Sequence, residues 1–152
     1  MREIKFRGKR LDTGTWVYGS GVLMADDYCV IDVDTEMYED ENYEWQGATH
    51  IFRVAGAKCD TSTLGQFTSL KDKNGKEIYE GDIIAFNWKN CDGVDITDLL
   101  EVRFVRGVFA FLWDGDLDHE ANVVSPTHEW ADVIGNIHDN PDLIKNNRNY
   151  PF

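Results

Sequence analysis

The sequence predicts a mainly β fold, α+β at most, closed by one short C-terminal helix. Three observations predict it. Residues 2 to 9 and 101 to 113 alternate apolar and polar side chains with the period of a half-buried strand. Strand-forming residues dominate, and long Ala/Leu/Glu/Lys runs at helical period are absent. Near the end, Asn140-Pro141-Asp142 places an N-cap type, a Pro at the first helical position and an acid in the first turn. The helix it starts is short, about residues 141 to 147.

In the first strand region, Ile4 and Phe6 face one way, and Glu3, Lys5 and Arg7 the other. Asp12-Thr13-Gly14 turns the chain. Residues 15 to 24 read as one strand, with Trp16 and Tyr18 on one face and Val17 on the other. Gly19 and Gly21 interrupt it, as a bulge or a tight crossing does. Residues 28 to 33 and 50 to 54 read as short strands. Residues 59 to 65 read as a connection with a helical turn, for which Asp60, Ser62 and Thr63 are all candidate caps.

The chain is organised around residues 65 to 86, GQFTSLKDKNGKEIYEGDIIAF. Lys73-Asn74-Gly75-Lys76 is its strongest turn signal, because Asn-Gly accepts the two positive φ angles of a tight turn. Gly81 lets the backbone bend before the strand at 82 to 88. The clearest hairpin spans 101 to 113 and turns at Arg106-Gly107, either as a two-residue turn or as a three-residue loop with a bulge. Residues 130 to 137 form the last strand. Phe6, Trp16, Ile83, Phe86, Phe104, Phe111 and Ile134 are the expected core. If the Phe109/Phe111/Trp113 face of the hairpin is exposed instead, it is an aromatic patch and a candidate interface.

The 152 residues fit one domain. No apolar run approaches the ~20 residues of a membrane-spanning helix, and the charged N-terminus MREIKFRGKR does not read as a secretory signal. Cys29, Cys59 and Cys91 are widely spaced and odd in number, which fits reduced cytoplasmic thiols.

The formal charge is −13. Such a chain repels nucleic acid and anionic membranes unless its cations cluster. Nine acids stand between Asp26 and Glu44 without one Lys or Arg. Within this stretch, residues 34 to 47 read as an acidic loop or insert. Glu36, Tyr38, Glu39, Asp40, Glu41, Tyr43, Glu44 and Trp45 are the candidate partner-binding residues, aromatic anchors inside an acidic rim. The opposite charge gathers in the first strand. Lys5, Arg7 and Lys9 lie beside Trp16 and Tyr18, a pattern single-strand binders use.

No catalytic, cofactor or metal site is expected. His50, His119, His128 and His138 lack the spacing that puts two ligands on one helix face. Asp114, Asp116 and Asp118 alternate as in a calcium loop, but His119 stands at the sixth place and Ser125 at the twelfth. There is no nucleophile-elbow motif and no phosphate-binding Gly loop.

Three stretches together resemble the YopX-like family of phage and prophage proteins: MREIKFRGKRLDTGTWVYG, GQFTSLKDKNGKEIYEGDII and VIGNIHDNPDLI. They occur in the family's order and span nearly the whole chain. The resemblance implies a phage- or prophage-encoded protein of the bacterial cytoplasm, with a barrel-like antiparallel sheet in a single domain over residues 1 to 152. It implies no activity and supplies no catalytic residues. The resulting expectation is a non-enzymatic protein-binding module, its partner a host factor or another protein. Two alternatives are an acidic DNA mimic and a nucleic-acid binder using the N-terminal basic strand. Open sheet edges and the surplus of aromatics add a homo-oligomer as a further expectation.

Overall fold

In the computed structural model, residues 3–33, 56–113 and 131–145 are described. They form eleven strands and one α-helix, and every strand pairing is antiparallel. The fold is mainly β, as expected. The expected strand at 50 to 54 lies outside the described residues.

The chain divides into two compact units, one of them Glu3–Gln66. Here β1 (Phe6–Lys9) pairs with β2 (Trp16–Gly19), while β3 (Val22–Met24), β4 (Cys29–Ile31) and β5 (Ala57–Cys59) form a second sheet. The single strand expected over 15 to 24 is thus broken in two. Gly19 explains the break: a Cβ there would overlap the Asp32 carbonyl, so the chain crosses itself at a place only glycine fits. The core of this unit is Cys29, Ile31, Ala57 and Cys59, with Val17 packed against it. After β5 comes the expected helical turn, Thr61–Thr63, and Asp60 caps it by accepting from the Ser62 N–H. Ala57–Cys59 is a strand where a connection was expected to begin.

Cys29 and Cys59 stand opposite each other across β4 and β5. The carbonyl of Lys58 accepts from the Leu11 N–H and the N–H of Asp60 donates to the Lys9 carbonyl, so both are directed at β1 and the residues just after it. The polar backbone of Cys59 between them therefore faces β4, which makes Cys29–Cys59 a hydrogen-bonded pair with Cα atoms about 5.5 Å apart. Side chains of such a pair stand wider than the ~3.8 Å between Cβ atoms of a disulfide. Both are free thiols. Burial, and then the neighbouring Cys29, push the Cys59 thiol up to about 11, so it stays protonated and inert at neutral pH.

The other unit takes up the chain from Phe67. Its main sheet is a curled, half-barrel antiparallel sheet of β8 (Asp82–Lys89), β9 (Asp95–Val105), β10 (Val108–Trp113) and β11 (Ala131–Asn136), in the order β10-β9-β8-β11. The helix α1 (Pro141–Lys145) follows β11. Ile78, Ile84, Leu100, Val102, Phe111, Ala131 and Val133 make the core. Two strands were not expected: β6 (Gly65–Lys71), which runs on from the first unit, and β7 (Glu77–Tyr79). Their pairing shifts register between Phe67 and Lys71. The cause is a bulge at Ser69, whose φ of 72° is in the left-handed region. That irregularity hides the strand from a period-two reading.

The two turns differ from each other in a way their sequences do not suggest. At Asn74-Gly75 only Gly75 has positive φ, and the turn is completed through Asp72. At Arg106-Gly107 both residues have positive φ, and Val105 pairs directly with Val108. The poorer turn sequence adopts the tight two-residue geometry.

The Asp72 carboxylate, 5% exposed, binds this turn to β11. Its Oδ1 accepts from the N–H groups of Asn74 and Lys76, and its Oδ2 from that of Val133. Burial pushes its pKa up, but those amides and the Lys76 charge outweigh burial and hold it below the usual range. The stability it contributes is present above the unfolded carboxylate pKa, ~3.9, and is lost as pH falls through the lower folded value. Asp72→Ala is expected to cost about 2–4 kcal/mol, because three amides lose their acceptor, that of Val133 in a buried bond. Chemical denaturation at neutral pH checks this. Ser69→Gly is expected to stabilise by about 1 kcal/mol, since glycine adopts that φ without strain; an unchanged melting temperature refutes it.

Candidate docking surface

The β9–β10 hairpin is where the structure exposes an aromatic pair. Leu100, Val102 and Phe104 alternate onto one face of β9, and Phe109 and Phe111 onto the same face of β10. Leu100, Val102 and Phe111 are buried. Phe104 is 49% exposed, so it leaves the expected core. The register explains why. Pairing between β8 and β9 ends at Ile83↔Glu101, and β9 runs on past it toward the turn. Phe104 continues the core face into a stretch where β8 no longer lies alongside. There it packs edge-on against Phe109, ring centroids 5.1 Å apart. Val108, beyond the turn, is exposed, and so is Arg106 within it. The hairpin tip therefore offers Phe104, Phe109 and Val108 with a cation at its apex. Of the aromatic face named from the sequence, Phe111 is core and Phe109 is half-buried; Phe104, which was not named with that face, is exposed.

Ile134 also leaves the expected core, at 42% exposed. It is the extra residue of a bulge between Val133 and Gly135 in the β8–β11 pairing, which turns it outward. Ile83 is fully buried, while Phe6, Trp16 and Phe86 are half-buried.

The basic strand keeps its aromatic neighbours but is no open groove. Arg7 is buried, with its guanidinium carbon 4.7 Å from the Trp16 ring centroid, and Lys9 Nζ is 5.6 Å from the same ring. These are cation–π contacts inside the first unit. Tyr18 lies opposite Arg7 and is half exposed. The eight candidate partner-binding residues, Glu36, Tyr38, Glu39, Asp40, Glu41, Tyr43, Glu44 and Trp45, lie outside the described residues, as do His50, His119 and His128 and the acids of the calcium-like run.

Several acids are committed to internal work. Asp82, 2% exposed, accepts from the Tyr79 N–H. Asp98, 1% exposed, accepts from the Trp88 indole N–H. Glu101 is buried and accepts from Arg103 Nε at 2.6 Å. Among the described residues no three His, Cys, Asp or Glu side chains cluster to hold a metal ion, and no helix is long and apolar enough to cross a membrane.

The family model described as YopX protein matches residues 5–145. The chain belongs to the YopX family. A similar fold occurs in the crystal structure of protein EF1440 from Enterococcus faecalis, at 24% identity and a TM-score of 0.54, covering 93% of this chain and 97% of that one. No curated protein matches.

Two of the stretches that carry the YopX resemblance, residues 65–84 and 133–144, meet in space at Gly81 and Ile137, and their contacts are structural. Gly81, at φ +83°, donates its N–H to the Val102 carbonyl and accepts from the Ile137 N–H. Asn136 Oδ1 accepts from the N–H groups of His138 and Asp139. The Asn140 side-chain oxygen, the expected helix cap, instead accepts from the Asn136 N–H across Gly135. The signature residues of this YopX-family chain thus join turn, strand and helix. Phe111→Ala is expected to cost about 3–5 kcal/mol and Phe104→Ser less than about 1 kcal/mol. Urea denaturation separates the core ring from the surface ring.

Proposed function

We propose that this YopX-family chain is a phage- or prophage-encoded accessory protein that acts without catalysis, by binding another protein in the bacterial cytoplasm. The hairpin tip is the proposed contact. The observation that carries this reading is the Phe104–Phe109 pair, one ring half exposed, standing beyond the core on a tight turn. A rigid aromatic pair loses little conformational entropy on docking and fills a pocket well, the property of interface anchors. Arg106 beside it adds a charge that favours an acidic rim on the partner.

The two alternatives draw less support. A DNA mimic needs outward carboxylates, and Asp72, Asp82, Asp98 and Glu101 are buried. A nucleic-acid binder on the first strand needs a free ring for base stacking, and Arg7 and Lys9 already stand over Trp16.

The test is capture from a host lysate by the immobilised chain, with Phe104→Ser and Arg7→Ala/Lys9→Ala as comparisons. Phe104→Ser is expected to weaken capture by about tenfold or more, as loss of an anchor does, while the basic-strand variant captures normally. Undiminished capture by a folded Phe104→Ser chain refutes the tip as the contact. Replacing residues 34–47 by a Gly/Ser linker tests whether the acidic stretch is also required.

A further inference from the structure

The Asn74-Gly75 turn has a chemical consequence separate from docking. A backbone amide nitrogen following Asn can attack that residue's side-chain carboxamide, and glycine permits this best because it has no side chain in the way. Around Gly75 there is open space: nothing lies within 4 Å of the place a Cβ would occupy. Asn74 itself is exposed.

We propose that Asn74 is a spontaneous deamidation site, that the docked turn protects it, and that its conversion releases the turn from β11. In the reaction, the Gly75 nitrogen loses its proton and bonds to Asn74 Cγ. The Cγ–Nδ2 bond breaks and ammonia leaves, giving a succinimide. Water then opens the ring at either carbonyl, to aspartate or isoaspartate. One water enters and one ammonia departs, and no oxidant or cofactor takes part.

The fold opposes each requirement. The Gly75 N–H donates to the Asp72 carbonyl at 2.9 Å, so the nucleophilic nitrogen is engaged. Asn74 Nδ2 donates to Asp132 Oδ1 at 3.1 Å, which holds the carboxamide against β11. The Asn74 N–H donates to Asp72 Oδ1. Lys73 Nζ pairs with Asp132 at 2.9 Å and keeps that carboxylate in place.

The same contacts make the product disruptive. Deamidation replaces a donor by a carboxylate oxygen facing Asp132, so a hydrogen bond becomes a like-charge contact. Isoaspartate also adds a methylene to the main chain between Asn74 and Gly75. The spacing that lets Asp72 Oδ1 accept from both Asn74 and Lys76 is then lost.

The experiment incubates the purified chain at mildly alkaline pH and follows isoaspartate and ammonia release by peptide mass spectrometry and enzymatic ammonia assay. The native chain is expected to react several-fold more slowly than the same chain in denaturant. Asp132→Ala is expected to react several-fold faster than native, and Asp132→Asn, which keeps an acceptor, at close to the native rate. Asn74→Asp is expected to lower the melting temperature. Equal rates in the folded and denatured chain overturn the protection. So does a folded Asp132→Ala variant that reacts at the native rate. An unchanged melting temperature for Asn74→Asp overturns the release.

Discussion

One buried carboxylate holds the second unit's turn and sheet together. Asp72 stands where β6 ends, and its two oxygens divide between two jobs. One closes the turn that leads into β7; the other reaches the main chain of β11, which is remote in sequence. Neither job can be done by an apolar residue, because each needs an acceptor for main-chain amides, and that of Val133 lies in a buried bond. The charge is tolerated because three N–H donors and Lys76 surround it. Around this point Lys73, Asn74 and Lys76 all reach the main chain or side chains of β11. The turn is fastened along its length rather than left as a solvent loop.

The same principle reinterprets the charge of the chain. A net charge of −13 reads from composition as surface. Part of it is architecture instead. Asp60 caps a helical turn, Asp72 and Asp82 accept backbone amides, Asp98 holds an indole, and Glu101 holds an arginine. In an antiparallel fold with short strands and many turns, unpaired amides are frequent, and short acidic side chains satisfy them. Total charge therefore overstates the acidic surface offered to a partner.

The turn geometries and the exposed ring are set by their surroundings rather than by the turn residues. At Asn74-Gly75 the side chain of Asp72 dictates the path, so the preference of Asn-Gly for a tight hairpin is overruled. At Arg106-Gly107 the paired strands β9 and β10 dictate it, and Arg106 accepts a φ of 50° that its own preferences disfavour. That tight turn fixes Phe104 opposite Phe109 beyond the end of β8. The aromatic tip is thus a product of strand lengths, and no residue in it announces exposure.

By itself the sequence determined the fold class, the last strand, the C-terminal helix and the bend at Gly81; it named Asp60 among three candidate caps and left Gly19 as part of a bulge or a tight crossing. Each is written in local chemistry: alternation, a cap, or a place only glycine fits. Phe104 and Phe111 were both expected in the core. Tertiary structure alone decided which of the two rings is core, because that depends on where a neighbouring strand stops. It decided that Ser69 and Ile134 sit in bulges, since a bulge is set by the mismatch of two strands and leaves no mark on either. It decided the partners of Asp72, which lie far along the chain. A pattern with period two reports the face of a residue; the extent of the surface covering that face is fixed only when the strands come together.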